Sequence, residues 1–257
     1  MITIETNPTA LPPVKLKSAN RRRSCKTVPT VLWIAGMVIL TAIVLYPLFW
    51  MISASFKPST EFGANQGFFP EDPTVDNYFK VMEGVAGIPA WHFFWNSFIL
   101  GVGAVIGTVM SSSMAAYAFA RLNFKGRPLF FAVMIGTMLL PFHVLMIPQY
   151  IIFRELGMID TFLPLLVGKF LAAEAFFVFL IVQFIRNLPK ELDEAARIDG
   201  CGHRRIFLSI TLPLIKPSLI TSSIFAFIWS WNDFLGPLLY LNSPDKYPPP
   251  AGPAHLQ

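Results

Sequence analysis

Cysteine is almost missing from this chain. Cys25 and Cys201 are the two in 257 residues, without disulfide or metal-ligand spacing, so a disulfide-stapled fold and a cysteine-held zinc site are both excluded, and both read as free thiols. Histidine is as sparse: His92, His143, His203 and His255 are scattered and form no ligand pattern. There is no GxxxxGKS/T phosphate loop, so the chain has no such cradle for ATP. The HExxH and GxSxG motifs are missing too, which removes the zinc-protease and serine-hydrolase readings, and no nucleophile–base pair suggests an intramembrane enzyme. Charge is scarce at 14% of residues, against 54% hydrophobic with 25 Phe and a mean hydropathy of +0.56. That is a membrane composition. The net charge of +5 does not point to nucleic acid, because the basic residues collect at the edges of apolar runs and no DNA-binding motif accompanies them.

What the chain has instead is long uncharged runs. Residues 1–27 carry Lys15, Lys17, Arg21, Arg22, Arg23 and Lys26 against Glu5 alone, a pattern that predicts a disordered basic tail. Five spans are predicted at about 31–55, 92–120, 129–153, 161–185 and 218–241, each near or above the roughly 20 residues a bilayer requires. The fold class is therefore an all-α polytopic transmembrane helical bundle. The first run is too long for a signal-peptide core and lacks a small-residue cleavage site. Between it and the second span, Glu61, Glu71, Asp72, Asp76 and Glu83 outweigh Lys57 and Lys80, so that loop reads as external. The tail, the 121–128 loop and the 186–217 loop hold most of the Lys and Arg, which places them and the amino terminus in the cytoplasm.

Each later span has a polar or small-residue feature. Gly101, Gly103 and Gly107 in the second, with Ser111 to Ser113 and Ala115, Ala116 and Ala118, predict close approach to other helices. Pro141 and Pro148 predict a third span that is either kinked toward a pore or merely bent. In the fourth, Lys169 and Glu174 each cost about 2.5 to 3.5 kcal/mol at the bilayer centre. Five residues apart on a regular helix they point about 140° away from each other, so they are expected to be poor partners. One of them lines a pathway, or Lys169 snorkels outward. In the fifth, Asn232 and Asp233 beside Trp229 and Trp231 suit either polyol binding or helix capping and cross-linking.

The 188–217 loop is the long polar interruption of the second half. Pro189 suits a helix first turn and Gly200 a left-handed helix end. Leu188, Leu192, Ala195 and Ala196 fall on one side of the helix between them. Lys190, Asp193, Glu194 and Arg197 fall on the other, with Arg197 spaced to pair with either acid. Ile206, Phe207 and Ile210 follow on a second short segment that Pro213 and Pro217 break. The physics alone leaves two readings open, a docking surface for a protein or an amphipathic connector on lipid headgroups. Glu194-Ala195-Ala196, then Gly200, then Ile210 and Leu212-Pro213, resembles at every signature position the EAA loop of binding-protein-dependent ATP-binding-cassette importer permeases. The resemblance extends from about residue 28 to 241. Ser55-Phe56-Lys57-Pro58, Asn77-Tyr78, Asn96-Ser97, Ala116 to Arg121 and Trp231 to Phe234 are similar to the carbohydrate branch, in particular its maltose-type second permease subunit.

The resemblance implies a permease subunit of an ATP-driven importer for sugars or related polyols in a bacterial or archaeal inner membrane. The implied partners are a cytoplasmic ATPase dimer, a different second permease chain and an external solute-binding protein, with the lipid bilayer around the spans. ATP and Mg are expected on the ATPase, and no cofactor or metal on this chain. Glu194, Ala195, Ala196, Asp199, Gly200, Ile210, Leu212 and Pro213 become the expected ATPase-coupling residues, with the Leu192/Ala195/Ala196 face in the ATPase cleft. Trp231, Asn232, Asp233, Glu174 and Pro141 become candidate solute-pathway residues. The family continues into a sixth helix, whereas residues 242–257 are Pro-rich with no apolar run, so a truncated or frameshifted version is expected. Two other classes stay in view: an ion-coupled secondary transporter using Lys169, Glu174 or Asp233, and a non-transporting membrane scaffold.

Overall fold

A computed structural model describes residues 27–58, 60–61, 67–84 and 87–249, and every regular element among them is helical. Cys25, nearly all of the basic 1–27 tail and residues 250–257 lie outside the described residues. The chain forms two units, 1–74 and 75–257.

The first unit is built on α1 (Thr27–Ser55), which has no charged residue and carries Pro47 inside it. Its side chains from Val31 to Ile52 are largely exposed, with no second helix beside it among the described residues of its own unit. At its end the Ser53 hydroxyl donates to the Phe68 carbonyl, the buried Lys57 ammonium donates to the Gly67 carbonyl, and the Thr74 N–H donates to Phe56 at 2.8 Å. These bonds fold the following loop back on the helix end.

The second unit opens with α2 (Asp76–Glu83), an eight-residue helix in the predicted outer loop. Then comes α3 (Ala90–Arg121), 32 residues without a break. It is the axis on which α6 (Leu163–Phe170), α7 (Ala175–Arg186) and α11 (Lys216–Trp231) pack. Its glycines let them close. A Cβ at Gly101 would lie 2.7 Å from the Phe227 ring, one at Gly103 3.1 Å from Leu166, and one at Gly107 2.8 Å from the Phe170 ring.

The other spans of this unit are interrupted. α4 (Arg127–Thr137) and α5 (Phe142–Glu155) replace the single third span, with Pro141 as the residue that caps α5. Proline cannot return an N–H to the preceding turn, so the helix unwinds at 138–141. The fourth span is α6 and α7 with a gap at 171–174, and the fifth is α11 and α12 (Leu235–Tyr240) with a gap at 232–234. By length and composition three stretches can cross a membrane, Thr30–Ser55, Ala90–Arg121 and Leu163–Asn187. A fourth is added if His203–Leu214 and Lys216–Trp231, bent by 76°, form one span. Among the described residues, the third, fourth and fifth predicted spans are therefore each built of two shorter helices.

The gap in the fourth span has an unexpected cause. Ala172 has a φ of +53°, and the Ala173 N–H reaches back to the Gly168 carbonyl at 3.1 Å. That is a left-handed helix termination of the kind glycine normally makes, here carried by alanine at a cost of about 1 to 2 kcal/mol. The Lys169 carbonyl freed by the break accepts the Ser111 hydroxyl of α3 at 2.6 Å.

Candidate functional site

The polar loop has a defined architecture. α8 (Glu191–Ile198) starts with Glu191, Asp193 and Glu194 in its first turn, favourably placed against the helix dipole. It ends at Gly200, φ +78°, where the Gly200 N–H donates to Arg197 at 3.0 Å and the Cys201 N–H donates to Ala196 at 2.9 Å. This is a Schellman ending, and the apolar contact that accompanies such endings comes from Cys201, a free thiol, and Ala196 in one cluster. A Cβ on Gly200 would meet nothing within 4 Å, so backbone conformation alone selects glycine.

α9 (His203–Ile206) then runs through a π-helical turn, Phe207–Thr211, into α10 (Leu212–Leu214). Pro213 has no N–H for the Ser209 carbonyl. The ladder widens here, with the Leu212 N–H donating to Phe207. Ile206 and Thr211 are buried, while Phe207 and Ile210 are half-buried against the same cluster; Leu212 is half-buried and Pro213 exposed.

Which face of α8 looks outward differs from expectation. Asp193 and Ala196 are buried, whereas Leu192, Glu194, Ala195, Ile198, Asp199 and Gly200 are exposed, Ile198 to 87%. Ala196 therefore packs inward. The outward apolar face is Leu192, Ala195 and Ile198, a stripe at spacings of three. Nor does Asp193 pair with Arg197: its carboxylate lies 2.9 Å from Nε of Arg121, the last residue of α3. Arg121 also donates to the Leu188 carbonyl at 2.8 Å. The Arg121 side chain is 5% exposed and that of Asp193 10%, and nothing in the loop's own sequence points across to α3.

Apart from Pro141, the candidate pathway residues group around the gaps in the fourth and fifth spans. Lys169 and Glu174 form an ion pair, contrary to the angular argument, because the gap at 171–174 removes the rotation a continuous helix would impose. Lys169 is held there, its side chain 18% exposed. Beyond the gap, the Phe176 and Phe177 rings each lie 5.2 Å from the Trp229 ring of α11. Phe225 joins them, 6.1 Å from Trp229. Nothing in the sequence pattern sets these phenylalanines apart; among 25 Phe their clustering is visible only in three dimensions. Across the gap in the fifth span, Gly236 of α12 lies against Leu165 of α6. The interruptions of the fourth and fifth spans therefore neighbour each other.

Asn232 and Asp233 serve the helix ends at that second gap. The Asn232 amide donates to the Ile228 carbonyl at 2.8 Å, and Asp233 Oδ1 accepts the Gly236 N–H at 3.0 Å. Trp231 stacks on Phe227, 5.4 Å away. Pro141 is exposed and sits at the separate break between α4 and α5.

At the opposite end of this unit from the 188–217 loop, the segment after the fifth span is anchored. Asp160, at φ +60°, accepts the N–H groups of Asn242 and Ser243 and the Ser243 hydroxyl, with the Lys246 ammonium at 2.9 Å. The Ser243 hydroxyl and the Lys246 ammonium hold this carboxyl well below the usual Asp range. Asn96 near the start of α3 donates to the carbonyls of Asp245 and Tyr247 at 2.7 and 3.1 Å. The first part of the proline-rich segment is thus docked, with a 3-10 turn at Pro244–Lys246.

Residues 103–251 match the family described as binding-protein-dependent transport system inner membrane component. The arabinooligosaccharides transport system permease protein AraQ of Halalkalibacterium halodurans is 38% identical over 236 residues, covering 90% of this chain and 83% of that protein. The sn-glycerol-3-phosphate transport system permease protein UgpE of Brucella abortus is 35% identical, covering 78% and 72%. The diacetylchitobiose uptake system permease protein DasC of Streptomyces coelicolor is 32% identical, covering 76% and 71%. Among solved structures, a chain of a bacterial ABC transporter involved in import of the acidic polysaccharide alginate superposes with a TM-score of 0.73 at 24% identity, covering 86% of this chain and 77% of that one.

Proposed function

The chain belongs to the inner-membrane components of binding-protein-dependent transport systems, and from that membership we propose how its parts serve import and what it carries. It is a membrane-spanning permease subunit of an ATP-driven importer in the inner membrane, in a family whose permease subunits are not themselves ATPases. Its partners in that family are an ABC ATPase and a solute-binding protein. The solute is a sugar oligomer or a related polyol, the class that the names of the arabinooligosaccharide and diacetylchitobiose relatives carry. A second, different permease chain completes the pathway, and ATP with Mg binds the ATPase dimer.

Residues 188–217 are the loop through which the ATPase acts, on the cytoplasmic side together with the amino terminus. The observation that carries this assignment is α8 itself: a short helix locked by Gly200 and offering Leu192, Ala195 and Ile198 to a partner, with Glu194 and Asp199 beside them. Ile210, Leu212 and Pro213 shape the second arm that holds α8 against the bundle. ATP-driven closure of the ATPase pair moves the loops, and the helices rock between inward-open and outward-open states. The solute passes the interruptions of the fourth and fifth spans, where Glu174 and Lys169 supply hydrogen-bonding groups and Trp229 and Trp231 supply flat apolar faces, with Asn232 and Asp233 shaping the backbone. The break at Pro141 gives the third span its flexible point.

Co-purification of the ATPase with the tagged chain, expressed beside its partner permease, tests the assignment. Gly200→Val, strained at φ +78° though sterically free, and Glu194→Lys are expected to abolish ATP-driven uptake while leaving membrane insertion intact. Normal uptake by either variant would remove the loop from the mechanism.

A further inference from the structure

We propose that Arg121 is a positioning residue that fastens the coupling helix to α3, so that α3 carries displacement of α8 as a rigid rod to the far end of the unit. The inference rests on the reading of α8 as the coupling helix.

Three observations converge. First, Arg121 meets the loop at two points: Nε lies 2.9 Å from the Asp193 carboxylate as an ion pair without hydrogen-bond alignment, and Nη2 donates to the Leu188 carbonyl at 2.8 Å, so α8 is held both within its first turn and just ahead of it. The planar guanidinium presents its nitrogens to both partners in one fixed geometry, which a point-like ammonium on a flexible stem does not reproduce. One turn back along α3, the Tyr117 ring lies 5.1 Å from Phe207 of the second arm, so one helix end holds both arms of the loop.

Second, among the described residues of this unit, α3 is the one span without a gap. The third, fourth and fifth are broken at 138–141, 171–174 and 232–234, and α10 meets α11 at a 76° bend. A push applied to a broken helix can be absorbed at the break, whereas an intact helix with a complete hydrogen-bond ladder transmits it. Third, α3 is clamped at its other end, where Asn96 donates to the Asp245 and Tyr247 carbonyls. From Asn96 to Arg121 is about 38 Å of helix at 1.5 Å per residue.

The test uses the complete importer in nanodiscs, with its ATPase and partner permease. Spin labels are placed at Glu191→Cys and Trp91→Cys, both exposed, with Cys25→Ser and Cys201→Ser removing the native thiols. The distance is measured without nucleotide and after trapping with ATP, Mg and vanadate. The unsubstituted clamp should give one narrow distance, the same in both states. Arg121→Gln should lose that single distance on trapping, with a broad second population. The pair Arg121→Met/Asp193→Ala should do the same without leaving a buried charge unpaired, which guards against simple misfolding. Arg121→Lys, which keeps the charge but loses the fixed planar geometry, should fall between. A narrow, unchanged distance in both Arg121→Gln and the double variant overturns the clamp, as does a distance that already changes in the unsubstituted protein. Failure of the ATPase to co-purify with the unsubstituted chain overturns the coupling reading and the clamp with it.

Discussion

At the loop end of the second unit, Ala116, Tyr117 and Ala120 of α3 pack with Val178, Ile181, Val182 and Ile185 of α7, and with Ala196, Ile206 and Ile215 of the loop arms. At the other end, Phe93, Tyr240 and Leu241 are buried as well, and the segment after the fifth span is fastened by polar groups: Asp160 to residues 242–246, and Asn96 of α3 to two carbonyls. The first region is an apolar core with one buried ion pair at its edge, and its geometry is fixed by many small contacts. The second adds to its buried side chains a few directional bonds that hold the 242–247 segment. Under the proposed coupling role of the loop, that difference places the most densely packed region at the end that would receive force.

The largest effect on this comparison should come from hollowing the first region. Ile181 is fully buried in the cluster. In lipid the transfer contribution is small, so the loss is mainly one of packing contacts, and Ile181→Ala should cost about 2 kcal/mol, the low end of the usual range. Thermal unfolding of the detergent-purified complex would report it, and a change within error would mean that the cluster is not the rigid part of the unit.

The two regions were not equally legible in the sequence. The span of α3 and the Gly200 turn could be read directly, because uncharged length and a glycine after a helical pattern report local physics. The close approaches at Gly101, Gly103 and Gly107 were legible for the same reason. The inward position of Ala196 was not: alanine fits either face, and the choice is tied to Arg121, 72 positions before its partner Asp193. The gap at 171–174 was hidden too. Nothing in Leu171-Ala172-Ala173-Glu174 signals a helix end, since alanine is the strongest helix former. The left-handed Ala172 is sustained by tertiary contacts, Ser111 on the freed carbonyl and the Lys169–Glu174 pair across the gap. Missing that gap is what made those two residues look like poor partners.

That pair gives the intermediate prediction. Glu174→Gln leaves the Lys169 ammonium without its partner in a setting where the two side chains are 18% and 29% exposed. Full burial would make this a loss of about 3 to 5 kcal/mol; partial exposure reduces it to about 1 to 2 kcal/mol. Lys169→Met combined with Glu174→Leu should recover most of the stability, because neither charge is then stranded. If the double variant is as stable as the parent yet imports no solute, the pair serves transport and not the fold. If it imports normally, the ion pair is only a staple across the gap, and the comparison sharpens into a rigid loop end against a gap tuned for folding alone.

The smallest effect should be at the Asp160 clamp. Its carboxyl titrates below the ordinary Asp value because the folded chain surrounds the ionised form with donors. A lowered folded value means that this stabilisation is fully present above about pH 3.9, the unperturbed Asp value, and is lost as pH falls below it toward the folded value. At neutral pH the clamp is closed, so acidification within the physiological range should leave it untouched. Asp160→Asn removes the charge at every pH but keeps an acceptor oxygen, and for so exposed a pair the cost should stay under about 1 kcal/mol. Trypsin cleavage after Lys246, whose ammonium the clamp holds, is a sensitive readout. Cleavage should be faster in Asp160→Asn than in the parent at pH 7, while uptake stays within about twofold. Unchanged cleavage would mean that Asn96 alone holds the segment, and the far end would then hang on the same unbroken helix that α8 pulls.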